Sequence, residues 1–430
     1  MEALTASRRI RTSRCSNLEE VNTFRRLFDN EMLRRFIVAR ALANLGFAML
    51  PVALSFMILD IFHSASDLGL VLGGEAITLV AALLGTGIVA DHLSRTLLLV
   101  LADFMTGLAY LAFSLFGYLG LHTIWLYVGV SGVVGVGSAL FGVSMDGWVQ
   151  ANVHEELRQS VNAARSIYRN VANIVGPLVA AVLVGATSPP LAILLAGLLP
   201  LIASSIFFRI RTLEVPVSRL QPNEPGLLRD LKDGWTAFSS RSWIWSFDLQ
   251  ITIWHLVTYA PIIVLGPFLA TKYYHGASGW AVILAALAVG GVLGGVLSYR
   301  SSVRHPLRYA IGSLVLTAPL PVALGVHLSL GLVAVTSFVA GVGLEYGGAL
   351  YAFTVQAHIP PEVISRVSSF DYLAAQGLLP VGYAFAAPLA HLLSTATLLI
   401  LGATYTLLST LVVLSVKSVW NLPRLPQGSS

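Results

Sequence analysis

The 430-residue chain predicts an all-α integral membrane protein of twelve spanning helices arranged as two six-helix halves. Three observations carry this. Hydrophobic residues make up 56% of the sequence and charged residues only 11%, outside the range of water-soluble domains. Twelve apolar runs are each long enough, at a rise of ~1.5 Å per residue, to cross the ~30 Å of hydrocarbon in a bilayer. Sequence entering the fifth run is also repeated, loosely, on entering the eleventh.

The runs cover 34–59, 67–90, 96–119, 123–148, 161–187, 189–209, 243–270, 277–299, 307–327, 329–357, 367–392 and 395–417. Each is continuous and rich in Gly, Ala and Leu, whereas a β-barrel needs alternating segments of about ten residues. Lys and Arg are retained on the cytoplasmic side of short loops. With the N-terminus inside, Arg8 to Arg35, Arg95, Arg158, Arg209 to Arg241, Arg300 to Arg308, Arg366 and Arg424 all fall at or inside the inner boundary, and Lys272 falls outside. The even count then puts both termini in the cytoplasm. The net charge of +5 is this asymmetry, so no nucleic-acid partner is expected. Residues 1–33 read as a disordered basic tail, too polar for a cleaved signal, that anchors the topology or touches anionic lipid headgroups. The single cysteine, Cys15, lies there, so neither an internal disulfide nor a cysteine metal cluster is expected.

One long polar connection, 211–242, separates an N-terminal half, 34–210, from a C-terminal half, 243–418, which a tail at 419–430 follows. Within the connection, LLRDLKDGW has the pattern of a short amphipathic helix lying on the inner surface. The halves are related in sequence. VHEELRQSVNAARSIYRNVANIVGPLVAA is similar to HIPPEVISRVSSFDYLAAQGLLPVGYAFAAPLA, and placing Gly176 over Gly382 aligns a short polar loop, a Ser or Asn pair and a Gly/Pro helix. Duplicated halves facing a central site are a transporter architecture.

Between the second and third runs, GTGIVADHLSR spaces Gly87, Asp91 and Arg95 by three intervening residues each. This resembles the signature loop of the major facilitator superfamily. The resemblance implies that Asp91 and Arg95 bond to neighbouring helix ends and latch the inner gate in the outward-facing state, with Gly87 as the close-packing point. Partly desolvated ion pairs at a helix junction suit a latch, because they gain more than exposed pairs and break when halves rock. His92, Ser94 and Thr96 stand where the family usually has Arg, Gly and a second basic residue.

IVGPLVAA resembles the span-five signature of exporters in the same superfamily, where Gly176 and Pro177 kink the helix and let it pack closely. Ala180 and Ala181 replace the usual second glycine pair. FIVARALANLGFAMLPVALSF, ADHLSR, SVNAARS and HIPPEVISRVSSF are similar to the bacterial branch that contains enterobactin exporters and macrolide efflux proteins. That resemblance implies a multi-pass, monomeric protein of the bacterial inner membrane that exports small amphiphilic molecules against a proton gradient. The span-four arginine of many proton antiporters is missing from LYVGVSGVVGVGSALF.

Ionisable groups in mid-membrane cost a few kcal/mol and are functional candidates by default. Glu345, flanked by glycines in GVGLEYGGALY, Glu75, about 12 Å along the second helix from its outer end, and Asp248 are the proton-coupling candidates. Asp248, Thr252, His255 and Tyr259 follow one another at intervals of 4, 3 and 4, hence on one face of the seventh helix, with Trp243, Trp245 and Trp254 nearby. A polar stripe with aromatic neighbours suits a cavity wall for amphiphiles, with Trp243 as an interface anchor. Arg40, Asn44, Phe47, Pro51 and Ser55 share a face of the first helix, and Arg40 and Asn44 from it join Thr252, Trp254, His255, Tyr259 and Gln376 as candidates for the substrate cavity. Arg40 either snorkels to the inner boundary or pairs with a group across the inner vestibule, for which Asp103, Asp146, Asp371 and Gln376 are candidates. Asn170 and Asn173 suit hydrogen bonding between helices.

The resulting expectation is a secondary active exporter of a small amphiphile such as a drug, secondary metabolite or siderophore, driven by protons. A proton-coupled importer and a non-transporting sensor or scaffold are the alternatives. No GxxxxGK[ST], HExxH or GxSxG motif is present, so nucleotide hydrolysis, enzymatic activity, a metal and a cofactor are not expected.

Overall fold

A helix satisfies its main-chain polar groups within its own segment, which is what hydrocarbon demands of a spanning element. The chain meets that demand: in a computed structural model that describes residues 29–92, 94–210, 235–360 and 363–425, the described residues form helices and short connections with no strand. The side chains of residues 84–92, 143, 146, 365 and 366 are not part of this description. The basic tail with Cys15 and nearly all of the LLRDLKDGW segment lie outside the described residues.

Twelve helices are long and apolar enough to span a membrane. They are α1 Glu31–Phe62, α2 Ala65–His92, α3 Arg95–Tyr118, α4 Ile124–Asn152, α5 Glu155–Ala186 and α6 Pro189–Ile210 in the first half. The second half holds α7 Ser242–Tyr273, α8 Ala277–Arg300, α9 Pro306–Gly325, α10 Leu330–His358, α11 in two segments, Ile364–Gln376 and Leu379–Leu393, and α12 Thr395–Leu414.

The helices depart from the apolar runs where polarity or proline intervenes. α5 begins at Glu155, six residues ahead of the predicted 161, because its first turns are polar; Glu155 and Glu156 there favour the helix N-terminus. α1 starts early too, at a cap in which the Asn30 side chain accepts from the Leu33 N–H at 3.2 Å. α7 contains a π-turn at His255–Tyr259 and α9 a 3₁₀ stretch at Ser313–Thr317. The single eleventh helix predicted from the sequence is broken at Gly377–Leu378. Pro380 has no N–H to offer the Gln376 carbonyl one turn earlier.

The internal repeat has a three-dimensional counterpart. A Cβ on Gly176 of α5 would lie 2.6 Å from the Ala48 Cβ of α1, and one on Gly382 of α11 would lie 2.7 Å from the Ala260 Cβ of α7. The repeated glycines thus seat the fifth and eleventh helices on the first and seventh in the same way.

Packing differs between the two ends of the bundle. On the side away from the termini, Met57, Phe113 and Tyr127 of the first half share one continuous apolar core with Leu269, Tyr274 and Trp280 of the second. At that side the α2 residue Gly69 also abuts the Tyr383 carbonyl of α11. On the termini side the core splits. Phe36, Trp148 and Phe207 pack within the first half, and Trp243, Leu307 and Val367 within the second. The molecule is therefore closed away from the termini and parted toward them.

Arg40 does not snorkel; of its candidate partners it takes Asp103, within the first half and not across the vestibule. It is fully buried within the first half, ion-paired to Asp103 of α3, with its guanidinium 4.7 Å from the Phe207 ring centre and 5.1 Å from that of Phe141. Trp243 is likewise a core residue rather than an interface anchor, since α7 turns its ring inward against His358. Replacing Asp103 with Ala strands a buried cation and should lower stability by about 3–5 kcal/mol, whereas the double replacement Arg40→Met with Asp103→Leu should recover most of it. Thermal unfolding in lipid nanodiscs measures both; equal losses in the single and double variants would show that the pair is not what is lost.

Candidate functional site: a cavity between the halves

A cavity of about 610 Å³ lies at mid-bundle where the halves part. α1 contributes Asn44, Phe47, Pro51 and Ser55, the stripe read from sequence without Arg40, which sits one turn lower inside the first half. α2 adds Glu75, α3 Thr106 and Tyr110, and α5 Asn170, Asn173 and Pro177. From the second half come Tyr259 of α7, Gly291 of α8, Glu345 of α10 and Tyr383 of α11. The walls are apolar and aromatic with a few polar groups, the composition of a site for small molecules.

Two acids stand on this wall, one from each half. Glu345 is exposed to the cavity, and its stem lies where a side chain on Gly291 would be, with the Cγ 2.9 Å from that position. The glycine on α8 makes the room. Glu75 comes from the first half, and Tyr110, Tyr259 and Tyr383 from three other helices line the same cavity. Among the described lining residues there is no Lys, Arg or His. No cluster of three or more His, Cys, Asp or Glu occurs among the described residues.

Most of the α7 stripe serves another purpose. The Thr252 hydroxyl, with one proton, lies 2.6 Å from the Asp248 carbonyl of its own helix and 2.7 Å from the Ala374 carbonyl, so its bond to α11 is a shared one, and His255 Nδ1 lies 2.8 Å from the Ala375 carbonyl. Both carbonyls belong to the last turn before the break in α11, where the helix cannot satisfy them itself. Thr252 and His255 therefore close a main-chain deficit instead of lining the cavity; of the stripe, Tyr259 alone reaches it. Trp254 is buried, 5.3 Å from the His255 ring and 5.8 Å from the Tyr259 ring, and does not line the cavity. Gln376 ends the lower α11 segment and is not a lining residue either.

Asp248 is buried away from the cavity, with Tyr351 of α10 and Asp371 of α11. Sequence reasoning did not join these three, because no spacing rule relates residues on three helices. It missed Tyr110 and Tyr383 for the same reason. Gly176 packs on α1 and Pro177 borders the cavity. At the inner end, Arg95 begins α3 with its guanidinium laid over Gly147 of α4, where any side chain would collide with it. Gly87 and Asp91 lie within α2, and their side chains fall outside the described ones.

Twelve helices of membrane-spanning length among the described residues, with a cavity at mid-bundle, have the architecture of a membrane transporter. The chain belongs to the Major Facilitator Superfamily, whose family description matches residues 36–379. It is a transporter and not an enzyme. No curated protein matches the sequence. Among solved structures, the nucleoside transporter NupG, as a point mutant, is similar with a TM-score of 0.72 at 12% identity, covering 90% of this chain and 99% of that one. A D-xylose–proton symporter aligns with a TM-score of 0.70 at 12% identity, over 92% of this chain and 98% of the other. A bacterial homolog of the human lysosomal transporter Spinster, inward-facing and unoccupied, gives 0.65 at 14% identity, over 89% and 97%. These likenesses establish the fold.

If Thr252 serves the α11 carbonyls, Thr252→Val should cost about 1–3 kcal/mol through an unsatisfied buried group, and Thr252→Ser should cost much less. Unfolding in nanodiscs reads the difference. A Val variant of unaltered stability but weakened ligand binding would return Thr252 to the cavity wall.

Proposed function

We propose that this transporter exports a small amphiphilic compound in exchange for protons, and that the compound is neutral or cationic. The observation that carries the reading is the cavity wall: aromatic and apolar surface with two carboxylates from opposite halves and no basic side chain among the described residues. Such a wall favours a positively charged or neutral guest with an apolar body and repels an anion. Glu75 and Glu345 are the coupling acids. A proton or a cationic guest neutralises either one, so the two compete for the same charge, and exchange follows from competition.

The halves 34–210 and 243–418 rock about the cavity, and the side on which they are parted is the cytoplasm, as the distribution of Arg and Lys indicates. Asp91 and Arg95 latch that side when it closes, as the family's loop does. The resemblance of the span-five segment around Gly176 and Pro177 to exporter sequences favours outward movement. The similarity to a proton symporter gives the opposite direction a place as the second reading. Either direction draws on the membrane potential, worth about 2.3 kcal/mol per charge per 100 mV, together with the pH gradient.

Purified protein in proteoliposomes under an imposed pH gradient tests this. Tetraphenylphosphonium should move against its own gradient toward the acidic compartment, stop moving when a protonophore is added, and be lost in both Glu75→Gln and Glu345→Gln. Tetraphenylborate, of the same shape and opposite charge, should not be carried. Co-movement of probe and protons would make the protein a symporter, and transport indifferent to both glutamates would remove them as the coupling groups.

A further inference from the structure

We infer that Asp248, Tyr351 and Asp371 form a second proton site, outside the cavity, whose occupancy holds the lower segment of α11 against α7. The triad joins α7, α10 and α11. The Tyr351 hydroxyl donates to Asp371 Oδ1 and lies 3.3 Å from Asp248 Oδ1. A hydroxyl carries one proton and cannot serve two carboxylates. Asp248 is only 3% exposed, and its second oxygen, Oδ2, is buried with no hydrogen-bond partner. Two adjacent carboxylates that share a single neutral donor lack one hydrogen, and an unpaired buried charge is costly. A proton on one of the two carboxyls completes the set.

Among the described side chains, none that bonds to the two carboxyls other than Tyr351 can supply that proton. α10 carries Tyr351 and, two turns further on, His358, which lies against Trp243 and the Thr354 carbonyl; α11 carries Asp371; and α7 carries His255, which is engaged with the Ala375 carbonyl. α12 packs on another face of α7, where Ser409 and Thr410 accept from Gln250 and Tyr405 donates to the Gln250 carbonyl. The ion pairs Arg35–Glu31 and Arg40–Asp103 lie on α1 and between α1 and α3, helices that do not carry the triad.

Position gives the proton a mechanical consequence. The lower segment of α11, Ile364–Gln376, is tied to α7 by Asp371 through the triad, by Ala374 through Thr252 and by Ala375 through His255, and it ends at the break at Gly377–Leu378. With the proton present, the carboxyl pair adds to these ties. With it gone, two like charges face each other in a low-dielectric site, and the segment can relieve the repulsion by swinging about the break. Low pH favours the tied segment and high pH the released one. The inference is independent of what the cavity carries.

Spin labels test it on the full chain in nanodiscs, in a Cys15→Ser background with exposed Leu249 of α7 and Tyr372 of α11 replaced by Cys. Raising the pH from about 6 to 10.5 should shift the population to a longer interspin distance. Asp371→Asn, neutral and of the same shape, should remain at the short distance at every pH, and Glu75→Gln with Glu345→Gln should respond as the parent does. As a check that needs no variant, the infrared spectrum of the unmodified protein should show a protonated-carboxyl band that is lost over the same pH range as the distance changes. A distance that ignores pH, or one that responds equally in Asp371→Asn, would overturn the proposal. A response abolished by the glutamate variants would assign the titration to the cavity instead.

Discussion

Hydrocarbon offers no partner to a main-chain carbonyl, and that constraint governs the fate of most polar side chains in this protein. Ser114 and Ser204 donate across the α3–α6 contact to the carbonyls of Pro190 and Val100, at 2.8 and 2.9 Å. Ser337 of α10 donates to Ile283 of α8 at 2.7 Å, and Thr258 of α7 to Gly402 of α12 at 2.9 Å. Each bond ties two helices at a carbonyl that can take a second donor. At the α11 break the need is greater, and Thr252 and His255 meet it. The polar face of α7 is thus spent on holding a neighbour together, leaving the cavity to Tyr259.

The same economy of contact shapes the glycines. α8 and α10 approach until Gly290 meets the Phe338 carbonyl and Gly341 meets that of Leu287, with Gly291 leaving space for Glu345. Helices packed this closely move as units, so the compliance of the bundle is concentrated elsewhere. One place is the contact between halves, continuous on one side and parted on the other. A second is the pair of local departures from α-geometry, the π-turn in α7 and the break in α11. Both lie beside Tyr259 or Tyr383, two of the three tyrosines that line the cavity.

How much of this was legible in the sequence follows from the range of each signal. Hydropathy and helical rise place all twelve spans, because each depends on its own residues. The Gly176–Gly382 repeat predicts a symmetry that the contacts to Ala48 and Ala260 display. On α1, Asn44 borders the cavity together with Phe47, Pro51 and Ser55 of the same face. For Arg40 the sequence offered several partners, Asp103 among them, and for Thr252 none, since a helical wheel gives a face but not what that face meets. The partners, Asp103 and the Ala374 carbonyl, lie on other helices. The break in α11 was written as Gly377 and Pro380, yet its consequence for α7 emerges only when the two helices are side by side.

If the cavity is served alternately from the two sides of the membrane, the two ends of the halves must move in opposite senses. Two distance pairs measured together in nanodiscs test it most directly, one spanning the halves at the termini-side ends of the helices and one spanning them at the opposite ends. Addition of tetraphenylphosphonium under a pH step should shorten the first as it lengthens the second. Distances that change in the same sense, or an opposite-side pair that never lengthens while transport proceeds, would contradict the account.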